Sequence, residues 1–167
     1  MALHLKSTGI DFSEISSGEL MDDYDEGTFQ PGVTGTTTAP SGVNYSYRLG
    51  KYTKIGRMVF INITMYASSS SSEGSGNVVI SGLPFSASTS NSWTAGSRYY
   101  TIGVPNIEFM QTSRTGGGLM AAMLADAAEI RLFRMNGYTG GMSTLTWADD
   151  IDGDFSFRIN ATYPTDQ

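Results

Sequence analysis

Cysteine is absent and histidine occurs once, at His4. The first absence excludes disulfides, thiolate nucleophiles and zinc–cysteine sites. The second leaves no imidazole outside the N-terminal stretch for a Ser-His-Asp or Cys-His arrangement. Charge is sparse too: Asp, Glu, Lys and Arg make up 16% of the 167 residues, against about 25% in an ordinary soluble domain. The 10 Lys and Arg form no cluster and the formal net charge is −6, so nucleic acid is not an expected partner. No apolar run approaches the roughly 20 residues of a membrane span. Met1–Lys6 is too short and too polar for a signal peptide, so the chain is expected to fold in a reducing cytosol without membrane insertion. Gly, Ser, Thr and Asn fill the space that charge leaves.

What is present is a β pattern, densest between Tyr45 and Tyr66. Glycines at 50 and 56 mark two expected breaks, and Met58–Tyr66 then runs without one. Val59, Ile61, Ile63 and Met65 share one face of that run; Met58, Phe60, Asn62, Thr64 and Tyr66 share the other. The second face is half apolar, which a strand open to water avoids. It therefore calls for cover, from a second sheet or from another subunit. The last strand alternates as cleanly: Phe155, Phe157, Ile159, Ala161 and Tyr163 against Ser156, Arg158, Asn160 and Thr162.

Residues 1–26 differ from the rest, with few β-branched residues and carboxylates at Glu19, Asp22, Asp23, Asp25 and Glu26. They read as an N-terminal arm that either stays flexible or packs on copies of itself. Residues 27–167 read as one antiparallel β-sandwich, jelly-roll-like, with short strands at a turn spacing of about ten residues. Within it, Thr28–Pro31 and Val33–Thr37 suit an edge, since proline cannot join a central ladder. Further strands are expected at 77–80, 93–96, 99–104 and 107–112. Leu119–Arg131 has the composition of a helix. The turn rhythm elsewhere favours two strands instead, 119–124 and 128–134, with a reversal at Ala125-Asp126.

Four strings carry a resemblance to a known family: Asp22–Pro31, Gly42–Tyr45, Gly50–Arg57 and Gly76–Phe85. Together they resemble the C-terminal receptor-binding head domains of bacteriophage tail fibres and tailspikes, over residues 22–85. The resemblance implies a homotrimer around a threefold axis, a virion protein made in the host cytoplasm. Its exposed loops would bind a host-cell surface glycan or protein, and residues 1–21 would join it to other tail components. Threefold avidity suits a receptor whose single contacts are weak.

Candidate binding residues are Trp93, Arg98, Asn136, Tyr138 and Trp147: aromatic faces stack on sugar rings, and Arg and Asn donate to hydroxyls. Tyr138, within Asn136–Gly141, is the most loop-like of them. For Trp93 and Trp147 the competing role is to fill a core or an interface. In Asp149–Asp154, carboxylates alternate toward a glycine, which makes Asp150, Asp152 and Asp154 a calcium candidate set. The expected strand from Phe155 argues for a plain turn there. No cofactor is expected, and no catalytic residues are assigned. A glycosidase pair would need two carboxylates across a cleft, which spacing alone cannot place. Three readings therefore compete with a non-enzymatic fibre tip: a monomeric calcium-dependent carbohydrate-binding module, a structural head or decorating protein, and a polysaccharide-cleaving enzyme.

Overall fold

Alternation in two strands organises the structure, a computed structural model that describes residues 4–6, 9–11, 24–69, 72–89, 99–103, 106–108, 119–124, 126–136, 141–151 and 155–166. The elements in chain order are β1 (His4–Lys6), β2 (Gly9–Asp11), β3 (Tyr24–Phe29), β4 (Gly32–Gly35), β5 (Asn44–Ile55), β6 (Met58–Ser69) and β7 (Val78–Ser81). They continue with β8 (Tyr99–Gly103), β9 (Asn106–Glu108), β10 (Leu119–Leu124), β11 (Ile130–Asn136), β12 (Gly141–Thr144), a helical turn α1 (Trp147–Asp150) and β13 (Phe155–Pro164).

Strands β6 and β13 pair over ten positions, from Phe155↔Ala67 to Pro164↔Met58. Every inward pair in that register is apolar: Val59↔Tyr163, Ile61↔Ala161, Ile63↔Ile159, Met65↔Phe157 and Ala67↔Phe155. All ten side chains are buried. The ribbon is the centre of a five-stranded antiparallel sheet, β3-β5-β6-β13-β9. The facing sheet runs β4-β7-β11-β10-β8, with β12 also on β11. From it Val33, Val78, Ile80, Ala121, Met123, Ile130 and Leu132 enter the same core. The fold is thus a two-sheet antiparallel β-sandwich; β1 and β2 form a separate hairpin.

Strands β3 and β4 sit at the edges of different sheets, with Pro31 at the corner between them. This matches the edge assignment made from proline. Strand β3 takes in Tyr24–Glu26, which the sequence placed in the arm. The segment with helical composition is two strands, β10 and β11, and the reversal between them carries Asp126 at φ 61. Aspartate tolerates that left-handed conformation, and the turn is fixed from outside by Asp126 N–H to Ala87 O (3.0 Å) and Ala87 N–H to Ala127 O (3.0 Å).

The expected break at Gly50 is absent. β5 runs straight through it, and the Phe29 ring lies over Gly50, where a β-carbon would approach ring atoms to 2.3 Å. The glycine serves a close packing there, not a reversal. The break at Gly56 is real: a two-residue turn with Gly56 at φ +55 followed by Arg57 at negative φ, the pattern of a type II′ hairpin.

Candidate functional site

Three regions bear on function: the end of the sandwich holding the acidic segment, a polar cluster at the chain's end, and the two outer sheet faces.

At the first, β12 leaves β11 and hands its hydrogen bonds to β7. Leu145 N–H reaches Leu132 O (2.8 Å), and Val78 N–H reaches Leu145 O (2.8 Å). The chain then turns through α1, which drives Trp147 into the core at 1% exposure. Its ring meets Phe155 edge-on, with centroids 6.1 Å apart, and Nε1–H donates to Thr34 O (3.1 Å). Trp147 therefore has no face free for a sugar, and of its two candidate roles it takes the filling one. Asp150 is buried beside it. One carboxylate oxygen accepts from Arg134 and the other from the Thr146 N–H (2.8 Å). The first bond pins α1 to β11 and the second closes the start of α1 on its own last residue, a structural use that competes with calcium ligation. Asp152 and Asp154 lie outside the described residues. Among the described residues no group of three or more His, Cys, Asp or Glu is placed to hold a metal.

Asn136 ends β11, its backbone paired with Gly141. Trp93, Arg98 and Tyr138 lie outside the described residues, as does the expected strand at 93–96. The five candidate binding residues are therefore not brought together in the described part of the chain.

The second region was not anticipated. Asp166 accepts from Ser88 Oγ–H (2.6 Å), from Thr89 N–H (2.7 Å) and from the Thr89 hydroxyl (3.2 Å). Arg57, from the β5–β6 turn, bonds the same carboxylate and the Thr165 carbonyl. The Ser88 hydroxyl and the Thr89 amide hold the Asp166 carboxyl well below the usual carboxylate range. A run such as Pro164-Thr165-Asp166 gives no sequence signal of this, because its partners are distant in the chain. Next to it, Tyr163 is buried with its hydroxyl on Phe85 O (3.0 Å), and burial raises its pKa far above the ordinary tyrosine value.

The third region is the pair of outer faces. On the five-stranded sheet, cross-strand rows place Tyr24, Ile55, Met58 and Pro164 side by side, then Glu26, Thr53, Phe60 and Thr162, then Thr28, Lys51, Asn62 and Asn160. Tyr24, Ile55, Met58 and Phe60 are 53%, 38%, 40% and 45% exposed. The Asn62 amide bonds the Asn160 side chain, and Tyr24 donates to Glu26 (2.6 Å). That bond to Glu26 raises the Tyr24 pKa. On the other sheet the exposed apolar pair is Met135 and Met142, facing each other across β11 and β12.

No protein-family model matches the chain, and no match is found among curated proteins. Among solved structures the chain is similar to the Dettilon tailspike protein, with a TM-score of 0.59 at 18% sequence identity. The likeness covers 84% of this chain and 24% of that one, so it is a likeness of fold to one part of a longer protein.

Proposed function

We propose that the chain is a non-enzymatic host-attachment module of a bacteriophage tail fibre or tailspike. It works as a homotrimer in the virion and holds a bacterial surface receptor, a glycan, at the loops between its strands. The observation that carries this reading is the tailspike-like sandwich over 84% of the chain. It is supported by the four tail-fibre-like strings, which fall on β3, on the two ends of β5 with its turn into β6, and on β7. Residues 1–21 join the module to the rest of the tail.

The calcium-dependent lectin reading draws no support from Asp150, whose oxygens already serve Arg134 and Thr146. The test is binding of the fluorescently labelled chain to a panel of bacterial strains that differ in surface polysaccharide. The expected result is binding to a subset of strains, insensitive to chelator and lost in polysaccharide-deficient mutants, with no reducing ends released. Binding to no strain overturns attachment; release of reducing ends overturns the non-enzymatic assignment.

A further inference from the structure

We infer that the outer face of the five-stranded sheet is where copies of this chain pack on one another, an assignment that rests on the homotrimer proposed above. Tyr24, Tyr47, Ile55, Met58 and Phe60 all lie on this face, leaving Met135 and Met142 as the other large exposed apolar side chains among the described residues. Four of them are contiguous: Tyr24, Ile55 and Met58 make one cross-strand row, and Phe60 stands in the next. They project from paired strands and so form a fixed surface rather than a loop that folds away.

The occupant follows from area and charge. Strands of these lengths, spaced and rising as β-strands do, make a face of roughly 700 Å², close to the ~800 Å² that each partner gives to a stable interface. A single polysaccharide strand would cover only part of it. Apart from Glu26 and Lys51, the polar positions in these rows are neutral: Thr28, Thr53, Asn62, Asn160 and Thr162. Depletion of charge marks an interface core rather than a solvated surface.

Like copies of a chain with net charge −6 repel wherever acid meets acid. On this face the described charges are Glu26 on the β3 edge, with Lys51 and Arg158 further in on β5 and β13. Laying one copy's β3 edge over the next copy's β5–β13 region brings opposite charges together, which is the heterologous contact a cyclic assembly needs.

The experiment compares Phe60→Glu with Met142→Glu, a somewhat more exposed position on the other sheet, by light scattering on a sizing column. Circular dichroism checks that each variant is folded. The expected result is that Phe60→Glu falls to the mass of one chain while Met142→Glu keeps the wild-type multimer. A cysteine-free chain allows a second reading: Phe60→Cys should be shielded from maleimide in the multimer and exposed on dilution. A Phe60→Glu multimer, or a Phe60→Cys thiol open to maleimide within the multimer, overturns the inference. A wild-type monomer that loses cell binding with Phe60→Glu also overturns it, by making this face the receptor site. If the face assembles but no strain is bound, the inference stands and the attachment reading fails.

Discussion

Strands β6 and β13 present the same backbone to two different environments. On the inner face, Ile63 and Ile159 are opposite one another at 0% and 1% exposure; one residue along, Asn62 and Asn160 are opposite one another in the open. The inner face is finished within the single chain, since the second sheet closes over it. Near the β5–β6 turn the outer face keeps core-like residues, Met58 and Phe60, with no such closure among the described residues. The difference teaches that alternation reports two properties separately: which face is buried in the fold, and which is apolar enough to need a partner beyond it.

The largest way to break this contrast is Phe157→Ala. Removing a fully buried ring should cost about 3–5 kcal/mol in urea unfolding, a large share of the roughly 5–15 kcal/mol that holds a native domain. Phe60→Ser, removing the same ring on the outer face, should change the stability of the dissociated chain by less than about 0.5 kcal/mol. If the two costs are similar, the outer face is closed within one chain and the contrast is wrong.

Next in size is Asp150→Asn, which weakens the bond to Arg134 and leaves that guanidinium short of its counter-charge. A loss of about 2–3 kcal/mol is expected in the same assay. Added calcium should leave the wild-type melting temperature unchanged, since Asp150 serves α1 and β11. A calcium-dependent rise that Asp150→Asn abolishes would restore the metal reading.

Gly56→Ala should cost roughly 1 kcal/mol, because an L-residue at positive φ is strained. Nothing lies within 4 Å of the added carbon, so the effect is backbone strain alone.

The smallest effect is at the Asp166 cluster and shows in pH dependence. The carboxyl is held below its unfolded value, so its contribution is full above about pH 4, the unfolded aspartate value. It declines as pH falls below that and is gone once pH is under the folded-state value. The wild-type melting temperature should therefore exceed that of Asp166→Asn at pH 7, and the gap should close on acidification. A gap that is constant with pH would mean the carboxylate's charge is not what the cluster uses.

Much of the sandwich was legible because period-two alternation is a local signal. Strand β13 matches the alternation read for Phe155–Tyr163 and adds Pro164. The two strands hidden in Leu119–Arg131 were also recoverable, although composition pointed to a helix. Ala121 and Met123 face the core, and Asp126 makes the turn. What was not legible depends on residues far apart in sequence. Gly50 looked like a break because its use, a seat for the Phe29 ring, comes from another strand. Asp166 was silent because Ser88, Thr89 and Arg57 reach it only in the fold. Asp150 stood out as part of an acidic run, and its actual partner, Arg134, lies on a different strand. Aromatic residues in polar segments were natural candidates for sugar stacking, yet Trp147 is core because α1 turns it inward.

Completion of the open, half-apolar sheet face by copies of the same chain is the point on which the proposed assembly turns. The most direct measurement is the solution mass of the unmodified protein by light scattering, across a dilution series. The account predicts the mass of three chains at high concentration. The mass of one chain at every concentration would contradict it.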